Sequence, residues 1–126
     1  MDQKQARKNV RGVRNALDFV LLQLHYAALH FGEAQGVKAV NGLTDEGFRI
    51  ELHSLRDSCD AFMQEDPHAL ARIGQSVAAL ALAREVLQKE MIWERDDGES
   101  MRYMQFTVLC DALRVLQERV MTALNT

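Results

Sequence analysis

Apolar residues recur through the first thirty positions with the spacing of a helix that has two partners. Val10, Leu17, Leu24 and Phe31 stand seven apart, and Val13, Val20 and Ala27 fill the intervening offset. This a/d seam is the pattern of a helix laid along other helices. A second apolar set, Phe19, Leu22, Tyr26 and Leu29, falls at the c and f positions, which ordinarily meet water. At about 100° per residue this stripe lies nearly opposite the seam. Between Asp18 and Phe31 the polar residues are Asp18, Gln23, His25 and His30, all on the flanks. One face belongs against the rest of the chain. The other calls for a further helix or another molecule.

Three more helices follow. The first is predicted over about 3–32, with Asp2 as a weak cap and a first turn whose cations oppose the helix dipole. Gly32, Gly36 and Gly42, around Val37, Ala39 and Val40, read as a connector with one short helical turn. Its length leaves open an antiparallel neighbour or a crossover. The second helix, about 44–65, starts at Thr44 as N-cap with Asp45 and Glu46 as favourable first-turn anions. Phe48, Leu52, Leu55, Cys59 and Phe62 form its seam, and Arg49, His53, Arg56, Asp57 and Asp60 its polar side. It stops by Glu65, because the residue before Pro67 avoids the α region.

Asp66-Pro67 reads as N-cap and N1 of a third helix, about 67–93. Its seam is Leu70, Ile73, Val77, Leu80, Leu87 and Met91, with Arg84 interrupting, either snorkelling to water or paired with a carboxylate. Around Val77–Ala83 it is apolar on every side, which predicts a central position, and its alanines and Gly74 allow close helix approach. Asp97-Gly98 is a turn signal, for which a β-hairpin through Ile92–Met104 competes with two helices. Resumed helical spacing favours a fourth helix over about 100–124. Phe106, Leu109, Leu113, Leu116, Val120 and Ala123 form its seam, widened by Tyr103, Val108, Ala112 and Val115. The fold expected is all-α: a single-domain four-helix bundle with a long two-faced first helix.

Composition supports that picture. A chain of 126 residues, 48% hydrophobic and 26% charged, suits one globular domain. Two cysteines and no signal-like start predict a reducing, cytoplasmic setting. The longest apolar run, Val77–Ala83, is far short of the roughly 20 residues of a membrane span, so no membrane role is expected.

Charge adds a second feature to the first helix. Lys4, Arg7, Lys8, Arg11 and Arg14 against Asp2 give residues 1–14 a net +4, leaving −7 on the rest of a chain of net −3. These cations span about a third of the helical circumference, on an arc that runs into the second apolar stripe. Such an arc suits phosphates or an acidic protein surface, and also suits plain solvation. Without interleaved aromatics the nucleic-acid signal is weak.

Candidate chemistry is sparse. His25 and His30 point to different sides. Glu65-x-x-His68 has the spacing of a di-metal ligand pair but occurs once and is broken by Pro67, so no metal is expected. Cys59 and Cys110 lie on or beside seams and read as small core hydrophobes. Met91, Ile92, Trp93, Met101, Tyr103 and Met104 gather around the third turn, as bundle ends do. The sequence therefore points to a protein that is not an enzyme and takes no cofactor. The expected role is a small interaction module, regulatory, adaptor, chaperone or inhibitor, docking through helix one. It is expected to form a homodimer and to bind another protein. The alternative is association with nucleic acid through the basic face.

Overall fold

The seam of the first helix becomes the spine of a helical bundle. The structure, a computed structural model, describes residues 3–31, 46–85 and 101–125, and the side chains of 3–26, 50–85 and 107–125. Helix α1 (Gln3–Phe31) buries Ala6, Val10, Val13, Leu17, Val20 and Leu24 to 2% exposure or less. Helix α2 (Glu46–Met63) buries Leu52, Leu55, Cys59 and Phe62. Helix α3 (Ala69–Gly74) and a helical stretch α4 (77–85) add Ala69, Ile73, Leu80 and Ala83. Helix α5 (Met101–Leu124) adds Leu109, Ala112, Leu113, Leu116, Val120 and Ala123. All belong to one core, and no strand occurs among the described residues.

The order around the bundle follows from the contacts. α1 packs most extensively on α5 and also on α2, α2 packs on α3, and α3 on α5. Arg7 reaches Met63, and Gly12 lies beside Arg119, so both neighbours of α1 run antiparallel to it. The second helix is thus the antiparallel neighbour that the glycine connector left open.

Local chemistry explains the tight turn between α2 and α3. The Asp66 N–H donates to the Ala61 carbonyl at 3.0 Å, and the Glu65 N–H to the Phe62 carbonyl at 3.0 Å. These are the paired bonds of a Schellman ending, with Glu65 at φ 71° in the place usually held by glycine. The Asp66 carboxylate then accepts from the His68 N–H at 3.0 Å and from Arg72 Nη2 at 2.9 Å. Arg72 first, and the His68 N–H with it, hold this carboxyl below its usual range. Glu65→Gly should raise the unfolding free energy by about 0.5–1 kcal/mol. It relieves a left-handed conformation costing roughly 1–2 kcal/mol, less the extra entropy of an unfolded glycine. Urea titration measures this, and an unchanged or lowered midpoint would show that Glu65 is not strained.

Three expectations need correction. The third helix is not continuous over 67–93. It breaks after Gly74, where the Gln75 and Ser76 N–H groups bond three residues back, to Arg72 and Ile73. Glycine is a poor helix former, and the Ser76 hydroxyl competes for the Ile73 carbonyl at 2.7 Å. Nor is Val77–Ala83 central: Leu82 is 61% exposed and Ala78 and Ala81 are exposed with it, so this stretch buries one side only, through Leu80 and Ala83. Val108 does not widen the α5 seam; it is 43% exposed. The hairpin alternative also falls where it can be read, because Met101–Met104 is the start of α5. Thr44, the connector after Gly32, the end of the third helix, Asp97-Gly98 and the side chains around Trp93 lie outside the described residues.

Gly74 faces a side chain and not the close neighbouring backbone expected of it. A methyl group there would come within 3.2 Å of Leu124 Cδ2. Among the described residues Arg84 pairs with no carboxylate: its Nη1 donates to Gln117 Oε1 at 2.6 Å, tying α4 to α5.

Candidate docking face

The seam buries one side of α1 and so turns the second stripe outward. Phe19, Leu22 and Tyr26 are 47%, 45% and 43% exposed, on the same helix whose seam is sealed. Leu29 continues the stripe in sequence, with its side chain outside the described residues. His25 leans across Tyr26, their rings 6.3 Å apart. The antiparallel register from Gly12 beside Arg119 brings Val108 level with Gln23, one turn past Phe19. Val108 is itself 43% exposed.

The basic stripe divides into two groups. Arg7 and Arg14 turn toward α2. Arg7 Nη1 donates to the Met63 carbonyl at 2.9 Å, placing a cation at the end of α2, whose own last turn has no basic residue. A cation there complements the helix dipole. Arg14 pairs with Asp60 of α2 at 3.1 Å and also with Asp18 one turn along α1. Lys4, Lys8 and Arg11 remain on the outer side, exposed.

Lys8 and Arg11 open onto a groove between α1 and α5. It is lined by these two cations with Asn9, Gly12, Asn15 and Ala16 from α1, and Val115, Arg119 and Thr122 from α5, and holds about 570 Å³. Gly12 forms its floor, where a methyl group would meet the Arg119 side chain at 3.7 Å. Arg14, Arg72 and Arg114 each have carboxylate partners, Arg114 bridging Asp111 and Glu118. Lys8, Arg11 and Arg119 have no acidic partner among the described residues. Reading the chain alone missed Arg119, Val115 and Thr122, because they join the basic stripe only through the α1–α5 register.

No catalytic constellation emerges from the described side chains. Burial, reinforced by the nearby Asp60 carboxylate, pushes the Cys59 thiol up to about 12, so it stays protonated and unreactive at neutral pH. Cys110 is half-buried, and both thiols are free. Glu65 and His68 sit in the α2–α3 turn and not on one helix face. Among the described residues no group of three His, Cys, Asp or Glu side chains could hold a metal ion. No helix there is long and apolar enough to cross a membrane. Comparison with known proteins found no matching family model, curated protein or solved structure.

Proposed function

We propose that the protein is a small, non-enzymatic protein-binding module of the cytoplasm, with a regulatory, adaptor, chaperone or inhibitor role, that docks through the outward face of α1. The observation that carries this reading is the line of Phe19, Leu22 and Tyr26, each nearly half exposed on a helix whose opposite side is fully buried. Single exposed apolar side chains such as Ile50, Leu82 and Met121 are ordinary, whereas several large ones in line along one helix face mark an interaction site. The first occupant is a second copy of the chain, since a two-fold pairing covers the stripe on both molecules at once. An antiparallel pairing keeps the two basic ends of α1 apart. The cytoplasmic setting is supported by the two free thiols.

Cross-linking tests the pairing. Leu22→Cys, in a Cys110→Ser background, should form a disulfide-linked dimer under mild oxidation. Ile50→Cys, on α2 and 59% exposed, should remain monomeric. Equal cross-linking at both positions would count against the stripe.

A second reading is association with nucleic acid. Lys8, Arg11 and Arg119, without acidic partners among the described residues, favour it. The engagement of Arg7 and Arg14 with α2 removes two of the five cations on which it was based. Binding of this kind would weaken log-linearly with salt.

A further inference from the structure

We infer that the groove between α1 and α5 is a second binding site, separate from the apolar stripe, that receives an acidic segment of a partner protein. The inference rests on the reading of the molecule as a protein-binding module and adds the chemistry of what it binds. Lys8 and Arg11 line the groove from α1 and Arg119 from α5, together with Asn9 and Asn15. Three cations that line one groove with no carboxylate among its described residues repel one another, and an incoming anion relieves that repulsion. Arg14, Arg72 and Arg114 show the alternative within this same chain, each satisfied by its own aspartate or glutamate.

The shape favours a peptide over a rigid polyanion. Gly12 and Ala16 keep the floor low, and Val115 gives it an apolar wall. From the level of Lys8 to that of Ala16 the groove spans about 12 Å of helix axis, at 1.5 Å per residue. That length accommodates about four residues of extended chain or two helical turns. The matching ligand carries carboxylates that reach Lys8, Arg11 and Arg119, and a small or aliphatic side chain between them that sits over Gly12. Guanidinium groups on both walls suit carboxylates because they can donate two parallel hydrogen bonds. Electrostatic attraction of this kind raises encounter rate and selects the partner more than it adds affinity.

A fluorescein-labelled peptide of glutamate pairs alternating with leucine tests the site by fluorescence anisotropy. The wild-type protein should bind it saturably, with a Kd in the micromolar range. Arg11→Glu with Arg119→Glu should weaken binding more than tenfold, and so should replacing the peptide's glutamates by glutamine. Lys8→Gln with Arg11→Gln, a milder change to exposed side chains, supplies the same comparison if circular dichroism shows the charge-reversed protein unfolded. Leu22→Glu with Tyr26→Glu should leave peptide binding within twofold, because the stripe lies outside the groove. That last variant separates the two claims: losing the dimer while keeping the peptide upholds both, whereas a dimer without peptide binding overturns the groove alone. Peptide binding insensitive to the groove substitutions would overturn it, as would displacement by duplex DNA at lower concentration than by unlabelled peptide.

Discussion

Leu17→Ala is expected to lower the unfolding free energy by about 2–5 kcal/mol, the range for leucine truncation in a close-packed core. Leu17 is 0% exposed and lies at the middle of the α1 seam, within the core shared by all the described helices. Removing it forfeits the transfer energy of the deleted carbons and leaves a cavity that rigid neighbouring helices fill incompletely. Leu22, five residues on, provides the contrast. At 45% exposure it has little packing to lose, so Leu22→Ala should cost less than about 1 kcal/mol in the monomer. Urea unfolding at low protein concentration measures both. Equal losses at the two positions would mean that α1 is buried on both sides.

Leu22→Glu with Tyr26→Glu should weaken self-association by more than about 100-fold while leaving a folded helical monomer. In a two-fold interface each substitution appears twice, so four carboxylates enter an apolar contact without partners. Each desolvated charge costs several kcal/mol, well above the roughly 2.8 kcal/mol that a 100-fold change requires. In the separated monomer the same carboxylates meet water, and glutamate is a good helix former. The circular dichroism spectrum should therefore be unchanged. A double variant that unfolds would place Leu22 and Tyr26 inside the core and remove the docking face.

Much of the bundle could be read from the chain because its seams are long and regular. Val10, Val13, Leu17, Val20 and Leu24 keep heptad spacing, and all are sealed from solvent. The same holds for Leu52, Leu55 and Cys59, and for Leu109, Leu113, Leu116 and Val120. What could not be read depends on a single glycine or on a neighbour. Apolar spacing runs unbroken through Gly74–Ser76, yet the helix breaks there, because periodicity reports which side is buried and not whether the backbone ladder continues. The misplacement of Val77–Ala83 has a related cause. An alanine-rich stretch looks apolar all round, while burial depends on how many helices surround it.

The candidate sites divide along the same line. Phe19, Leu22 and Tyr26 were visible as a stripe opposite the seam, because both faces belong to one helix. The basic stripe was visible only as an arc of like charge. Its division into Arg7 and Arg14, bound to α2, and Lys8 and Arg11, open to a groove, depends on where α2 and α5 stand. Arg119 carries no sign in the sequence that it will join Lys8 and Arg11, more than a hundred residues away.

The outward face of α1 as the docking face is tested most directly by sedimentation equilibrium of the wild-type protein and of Leu22→Glu with Tyr26→Glu, across a series of concentrations through the micromolar range. Docking through the stripe predicts a reversible monomer–dimer equilibrium for the wild type and a single species of 14.3 kDa for the variant. A wild-type protein that stays monomeric throughout, or a variant that dimerises as strongly as the wild type, would contradict it.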